Sequence, residues 1–162
     1  MNHPEDFPGV AMCDLAPKER ALVWAMRAIA AMPTCTARVR LGLASVLPAH
    51  RVALATVVLT RLVRAIAEHA ERKLMVGVAC ARSVTWDEAA LVALLCGAHD
   101  DPDAVFTWFR RLGVGEIEDI MLDDAVVLGV LFEGGAEALT APAPRPEPEV
   151  LARREISCAS SS

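Results

Sequence analysis

The most regular pattern in this sequence is an apolar repeat that begins near Pro48 and continues to about Arg72. Its members are spaced three or four residues apart: Val52, Ala55, Leu59, Leu62 and Ile66. Because an α-helix completes a turn about every 3.6 residues, this spacing places them on one face and predicts a long amphipathic helix. Charged residues are turned outward: Arg51, Arg61, Arg64, Glu68 and Glu71. The pattern predicts the central helix of a bundle.

Five shorter segments with helical character surround this element: residues 17–32, 38–46, 86–98, 102–112 and 116–132. Proline and glycine mark their ends. Pro17 and Pro102 suit a first helical turn, and Gly113 and Gly134 suit a stop. Strand-like alternation of useful length is missing from the sequence. We therefore predict an all-α fold, a bundle of five to six helices.

The clearest local signal in the chain is the segment Thr85-Trp86-Asp87-Glu88. It has the spacing of a capping box, in which the Thr hydroxyl and the Glu carboxylate accept hydrogen bonds from backbone amides at the start of a helix. The motif predicts a helix beginning at Trp86. No charged residue follows Glu88 before His99, so this helix is expected to be buried on most sides.

The two ends of the chain differ from its middle. Residues 1–14 contain Pro4, Pro8 and Gly9 without any period and predict a flexible N-terminal arm. Residues 15–140 are predicted to form the helical bundle domain. Proline occupies every second position from Pro142 to Pro148, which predicts an extended, disordered tail rich in Pro and Ser over residues 141–162.

Charge is distributed unevenly along the sequence. The chain has 16 Lys and Arg against 21 Asp and Glu, a net charge of −5, which argues against a main role in binding nucleic acid or anionic membranes. Residues 38–73 carry seven basic and two acidic side chains, a local charge of +5. Residues 99–137 carry ten acidic and two basic side chains, a local charge of −8. Such polarity predicts intramolecular pairing or self-association of opposite faces, or only the solvated faces of amphipathic helices.

Five cysteines and an N-terminus without a signal-peptide pattern predict a cytoplasmic protein with reduced thiols. The longest stretch without Asp, Glu, Lys or Arg is Ala89–His99, eleven residues. A membrane helix needs about 20 apolar residues. We therefore expect no membrane span.

A thiol–imidazole cluster is the sharpest candidate for chemistry. Cys96 and His99 are three residues apart on one predicted helix, Cys80 precedes that helix, and His69 ends the long helix before it. These four side chains have the atoms that a tetrahedral zinc site uses. The simpler interpretation is that the thiols are buried core groups, since no Cys-x-x-Cys pair is present. Cys80, near Arg82, is also a candidate redox-sensing thiol.

Other functional patterns are weaker. The acidic group at residues 116–124 is interpreted as a solvated helix face, because a single helix does not converge its carboxylates on a cation. Nucleic-acid binding is not expected, since the candidate basic stripe lacks aromatic residues for base stacking. This stripe consists of Arg38, Arg40, Arg51, Arg61 and Arg64. Serine-nucleophile, P-loop, Rossmann, HExxH and EF-hand patterns are absent, and we identify no catalytic residues.

Three short segments carry a resemblance: Glu19-Arg20-Ala21-Leu22-Val23, Val76-Gly77-Val78-Ala79-Cys80 and Thr85-Trp86-Asp87-Glu88. Over residues 17–139 the chain resembles a family of small bacterial all-helical proteins of unknown function. The resemblance implies an all-helical fold and brings no activity, cofactor or catalytic residue.

The sequence favours a non-enzymatic helical interaction or regulatory module that acts through protein–protein contacts and self-associates. The alternative is a small-ligand, metal or thiol-dependent sensor that uses the Cys/His cluster, with zinc as its cofactor. An unrecognised enzyme is the third interpretation.

Overall fold

The computed structural model describes residues 6–98 and 101–133 of the chain. These residues form an all-α bundle, as predicted. Its six helices are α1 (Pro17–Ala31), α2 (Thr36–Leu43), α3 (Ala49–His69), α4 (Trp86–Gly97), α5 (Pro102–Arg111) and α6 (Asp119–Phe132). The tail predicted over residues 141–162 lies outside the described residues.

Two short strands accompany the helices. β1 (Asp6–Ala11) pairs antiparallel with β2 (Ser83–Thr85), with Asp6 opposite Thr85 and Ala11 opposite Ser83. A 3-10 turn over Met12–Asp14 then leads into α1. β1 occupies part of the segment, residues 1–14, that we interpreted as a flexible arm. β2 has three residues, too few to show an alternating pattern in the sequence.

The helix α3 lies between α2 and α6, and α1 and α4 pack behind this layer. α3 and α6 are antiparallel. Arg51 Nη1 at the start of α3 donates to the carbonyl oxygen of Leu131 at the end of α6, at 3.1 Å. At the other end, His69 Nε2 lies 3.3 Å from Glu118 Oε1, just before α6 begins. The order α2–α3–α6 creates a broad outer surface with α3 along its middle.

The core is aliphatic, because the chain is only 4% aromatic. The predicted apolar face of α3 points inward, and Leu59, Leu62 and Ile66 are fully buried. They pack in one continuous core with fully buried residues from the other helices, among them Leu22, Leu43, Leu94, Phe109, Met121 and Leu128.

The connection between α3 and β2, residues 70–82, is a long irregular segment that we call the strap. Arg72 anchors the first residues of the strap to α4. Its Nη1 and Nη2 atoms donate hydrogen bonds to the two carboxylate oxygens of Asp87, at 2.8 and 2.6 Å. Met75 N donates to the same carboxylate at 2.7 Å. The first turn of α4 therefore holds the strap against the bundle.

Most predicted helix ends are within one turn of the observed ones. The capping box is confirmed: Glu88 N donates to Thr85 Oγ1 at 3.2 Å, and Thr85 N donates to Glu88 Oε2 at 2.9 Å. The stop at Gly113 is also confirmed, since its φ of 84° lies in the left-handed region that glycine adopts at low cost.

Candidate interaction surface

The outer side of α3 carries aliphatic side chains that no helix covers. Leu54 is 50% exposed and Val57 is 62% exposed. They are three residues apart and therefore share a face, opposite the buried Leu59 and Ile66. Solvent-facing leucines and valines are ordinary when scattered singly, so their neighbours on adjacent helices decide whether they form a patch.

α6 adds to this surface on one side of α3. Arg61 Nε donates to Asp124 Oδ2 at 2.7 Å and its Nη2 contacts Oδ1, so the middle of α3 lies level with residue 124. The bond between Arg51 and Leu131 places the start of α3 level with residue 131. Val127 and Val130, both exposed, therefore lie level with Leu54 and Val57.

α2 bounds the surface on the other side of α3. Leu41 is 72% exposed, the highest exposure among the large apolar side chains of the described residues. Arg64 reaches from α3 to the carbonyl oxygen of Pro33, just before α2. We call the combined surface the outer face. Its apolar members are Leu41, Leu54, Val57, Ile120, Val127 and Val130.

The two helices that flank α3 carry exposed charges of opposite sign. Arg38 and Arg40 are exposed on α2, and Asp119 and Asp123 are exposed on α6. Within the parts of the chain that the structure describes, these four side chains make no ion pair. The apolar side chains of the outer face thus lie among charged ones, because Arg61 and Arg64 are also exposed on the side of α3 that carries Leu54 and Val57.

Some of the opposite charges seen in the two regions of the sequence pair with each other within the molecule. Asp124 is only 3% exposed and pairs with Arg61, which is 51% exposed. The interpretation of residues 116–124 as a wholly solvated face is therefore wrong at Asp124. Position 124 faces α3, and a carboxylate there needs a cationic partner because burial would otherwise leave its charge without solvent.

A second polar cluster lies in the interior, between α1, α4 and the strap. Arg27 and Glu88 are 1% and 0% exposed and form an ion pair. Arg27 Nε and Nη2 donate to the two Glu88 oxygens at 2.7 and 2.9 Å. The guanidinium also donates to the carbonyl oxygens of Ala81 and Ser83, each at 2.7 Å.

The Glu88 carboxylate is equally well satisfied. Besides Arg27 and Thr85 N, it accepts a hydrogen bond from Gly77 N at 2.9 Å. A Cβ on residue 77 would lie 2.9 Å from Arg27 Nη2, so glycine permits the strap to cross the guanidinium closely. Because the hydrogen-bonding groups of this pair are engaged with protein, the cluster joins three elements of the fold rather than presenting a reactive group.

A small apolar cavity lies beside this cluster, beneath the strap. Its lining includes Met26, Ile66, Leu74, Leu91 and Leu112. The volume of about 20 Å³ has room for about one water molecule. A site of this size does not admit an organic cofactor.

The predicted metal ligands do not form a group in the described residues. His69 Nδ1 lies 2.8 Å from the carbonyl oxygen of Ala65, and its Nε2 faces Glu118. Cys80 is exposed in a turn of the strap, and Cys96 is partly buried on α4. Within residues 6–98 and 101–133, no three His, Cys, Asp or Glu side chains converge on a position for a metal ion. His99 lies outside the described residues, so the four-ligand site stays a prediction.

Two groups among these candidates have shifted pKa values. Burial raises the pKa of the Cys96 thiol to about 12, and the nearby Glu19 carboxylate adds to this effect. The hydrogen bond to Ala65 raises the pKa of His69; partial desolvation opposes this rise, and Glu118 reinforces it. Cys96 is therefore protonated at neutral pH and unsuited to nucleophilic attack.

The candidate basic stripe is not a free surface along its whole length. Arg61 pairs with Asp124, while Arg51 and Arg64 donate to the carbonyl oxygens of Leu131 and Pro33. Arg38 and Arg40, on α2, remain exposed.

The buried partner of Glu88 was not recognised in the sequence, although a signal was present. Arg27 is the only charged residue between Arg20 and Arg38, in the middle of an apolar helix. A lone arginine in such a setting needs a buried carboxylate, and Glu88 begins the other nearly uncharged helix.

Comparisons with known proteins do not assign the chain to a family: no protein family matches it, and no curated protein or solved structure is significantly similar to it. Among the helices of the described residues, none is both long enough and apolar enough to cross a membrane.

Proposed function

We propose that this protein is a helical interaction module that acts through protein–protein contacts and self-associates through its outer face. The observation that carries the proposal is the presence of exposed aliphatic side chains on three neighbouring helices, α2, α3 and α6. A contiguous apolar patch with a polar rim is typical of surfaces that bind other proteins.

The free energy gained by burying apolar side chains favours an interface formed by three helices over one formed by a single helix face. Full burial of a Val or Leu side chain contributes about 1.5–3 kcal/mol, so several such residues are needed to offset the entropy lost on association. α3 supplies two, and α2 and α6 supply the others. In a symmetric dimer each side chain contributes twice, which doubles the effect of a small patch.

We further propose that the protein acts in the cytoplasm as a reduced protein. The four cysteines of the described residues, Cys13, Cys35, Cys80 and Cys96, are free thiols. Free thiols are typical of reducing compartments.

The proposal is tested by sedimentation velocity of the full-length chain over a concentration series under reducing conditions. We expect a reversible monomer–oligomer equilibrium. Val57→Ser should weaken it about thirtyfold, the equivalent of about 2 kcal/mol per dimer for two lost apolar contacts.

Val78→Ser is the matched control, because Val78 is 69% exposed and lies on the strap, away from the outer face. It should leave the equilibrium unchanged. A wild-type protein that sediments as a monomer over the whole series would contradict self-association. Equal effects of the two variants would contradict the assignment of the surface.

A further inference from the structure

The exposed side of α6 is aliphatic and acidic and carries no cation. At about 100° per residue, its exposed residues occupy one continuous arc of the helix, opposite the buried Met121 and Phe132. These exposed residues are Asp119, Ile120, Asp123, Val126, Val127 and Val130. A segment that complements this side therefore combines aliphatic side chains with positive charge.

The cations on the neighbouring helices are engaged elsewhere. Arg61 of α3 pairs with a buried aspartate of α6, and Arg51 and Lys18 donate to carbonyl oxygens in the last turn of α6. Asp119 and Asp123 lie one turn apart in the first half of α6 and form no ion pair within residues 6–98 and 101–133. Their charge is left to attract a further group.

The chain itself contains a segment with the complementary chemistry. Residues 150–156 read Val-Leu-Ala-Arg-Arg-Glu-Ile, and we call them the basic segment. They combine three aliphatic side chains with Arg153 and Arg154, the only adjacent pair of cations that follows α6 in the sequence. We infer that the basic segment docks on the exposed side of α6 of the same chain. Its arginines supply the positive charge that Asp119 and Asp123 attract.

The linker between α6 and the basic segment is long enough for this contact. Residues 134–149 form the linker, and an extended chain of this length reaches about 50 Å at about 3.1 Å per residue. α6 has 14 residues and is about 21 Å long. The linker begins with Gly134 and Gly135, and glycine readily adopts the backbone conformations of a chain reversal. The basic segment can therefore return along the helix that it follows.

A tethered segment has an advantage over a separate partner. Short flexible linkers give effective concentrations of the order of millimolar, and a second protein must approach that concentration to compete. The inference goes beyond the proposed function, because Ile120, Val127 and Val130 also belong to the outer face. A docked basic segment covers them and opposes the self-association of the chain that carries it.

Paramagnetic relaxation in the full-length chain tests the contact. Cys158 lies just beyond the basic segment and takes a nitroxide label in a chain that carries Cys13→Ser, Cys35→Ser and Cys80→Ser. Cys96 stays in place, because burial protects its thiol. We expect the amide signals of the first half of α6 to lose intensity relative to the same sample with reduced nitroxide. Those of α2, on the other side of α3, should keep their intensity.

Charge variants of the labelled chain identify the groups in contact. Arg153→Glu with Arg154→Glu should abolish the loss of intensity at α6, because the new carboxylates are repelled by the aspartates there. Adding Asp119→Arg and Asp123→Arg to that variant should restore the loss, which an unfolded protein could not do. Arg145→Glu is the matched control, since it reverses a cation of the linker. It should leave the loss of intensity unchanged.

A mixture separates docking within one chain from docking between chains. One chain carries nitrogen-15 without nitroxide, and the other carries nitroxide without nitrogen-15. Docking within the chain predicts full α6 intensity in the mixture. An equal loss in the mixture and in the doubly labelled chain would assign the basic segment to a second copy and overturn the inference.

Two further results would contradict the inference. Full α6 intensity in the labelled wild-type sequence would overturn docking itself. A loss that survives reversal of Arg153 and Arg154, or that Arg145→Glu also removes, would overturn the assignment to residues 150–156. Self-association is read separately by sedimentation velocity, so the failure of this inference leaves the proposed function standing.

Discussion

Arg27 of α1 and Glu88 of α4 are 61 residues apart in the chain and form an ion pair that solvent barely reaches. Each partner also binds backbone groups of the strap or of the segment before α4: Ala81 and Ser83 for the arginine, Gly77 and Thr85 for the glutamate. The pair therefore determines how the irregular part of the chain lies against the helices.

Removing one partner of this pair should be strongly destabilising. Arg27→Met leaves the Glu88 carboxylate buried without its cation, and we expect a loss of about 3–5 kcal/mol in the free energy of unfolding. Urea denaturation followed by circular dichroism measures it. Arg110→Met, at an exposed position on α5, should change stability by less than about 0.5 kcal/mol. A similar small effect for Arg27→Met would show that the pair is not formed.

Replacing Arg61 and replacing Asp124 should destabilise the protein to different extents, although the two residues form one ion pair. Arg61→Gln leaves a carboxylate that is 3% exposed without a cation, and we expect it to lower the free energy of unfolding. Asp124→Asn leaves an arginine that water can reach, and it should lower the free energy of unfolding by less than Arg61→Gln does. The same denaturation experiment compares the two. Equal costs would contradict the difference in burial between the partners.

His69 should make stability depend on pH. The hydrogen bond to Ala65 raises the pKa of His69 above its ordinary value of 6.5, and Glu118 adds to the rise. A raised folded-state pKa means that the imidazolium stabilises the native state fully below 6.5, and that this contribution is lost as pH rises through the folded pKa. Protonation favours folding at this site.

The measurement is the thermal midpoint of the wild type and of His69→Gln at about pH 5.5 and about pH 8.5, on either side of the histidine titration. The difference between the two proteins should be larger at the lower pH. A difference that grows with rising pH would contradict the sign. His50→Gln serves as the control, because His50 is an exposed histidine at the start of α3.

Thiol reactivity should distinguish two cysteines of the proposed cluster. Cys80 is exposed on the strap, whereas burial raises the pKa of Cys96 to about 12. Iodoacetamide near neutral pH should therefore label Cys80 readily and Cys96 only after the protein is unfolded, as read by mass spectrometry of peptides. Rapid labelling of Cys96 in the folded protein would contradict its burial on α4.

The helices could be predicted because each is encoded within a short stretch of sequence. The spacing from Val52 to Ile66 determines the buried face of α3, and the capping box determines where α4 begins. The strand pairing could not be predicted, since β2 has three residues and its partner lies about 75 positions earlier.

The candidate surface could be predicted only in part. The sequence shows opposite charge in two regions, but which of those charges pair internally depends on the packing of α3 against α6. Asp124 and Asp123 are neighbours in sequence, yet one is buried against Arg61 and the other is exposed. Which of the two aspartates faces α3 depends on the rotation of α6 about its own axis, and the positions of the charges in the sequence do not determine that rotation.

The strap is a loop without helix or strand, but its hydrogen bonds to α4 should make it unfold together with that helix. The Met75 amide donates to Asp87, which also pairs with Arg72, and the Gly77 amide donates to Glu88, which also caps α4 and pairs with Arg27. These two amide hydrogens should therefore exchange with solvent deuterium only when α4 itself opens, at rates set by global unfolding. At Met75 and Gly77, a segment without helix or strand should in this way be protected like the centre of a helix.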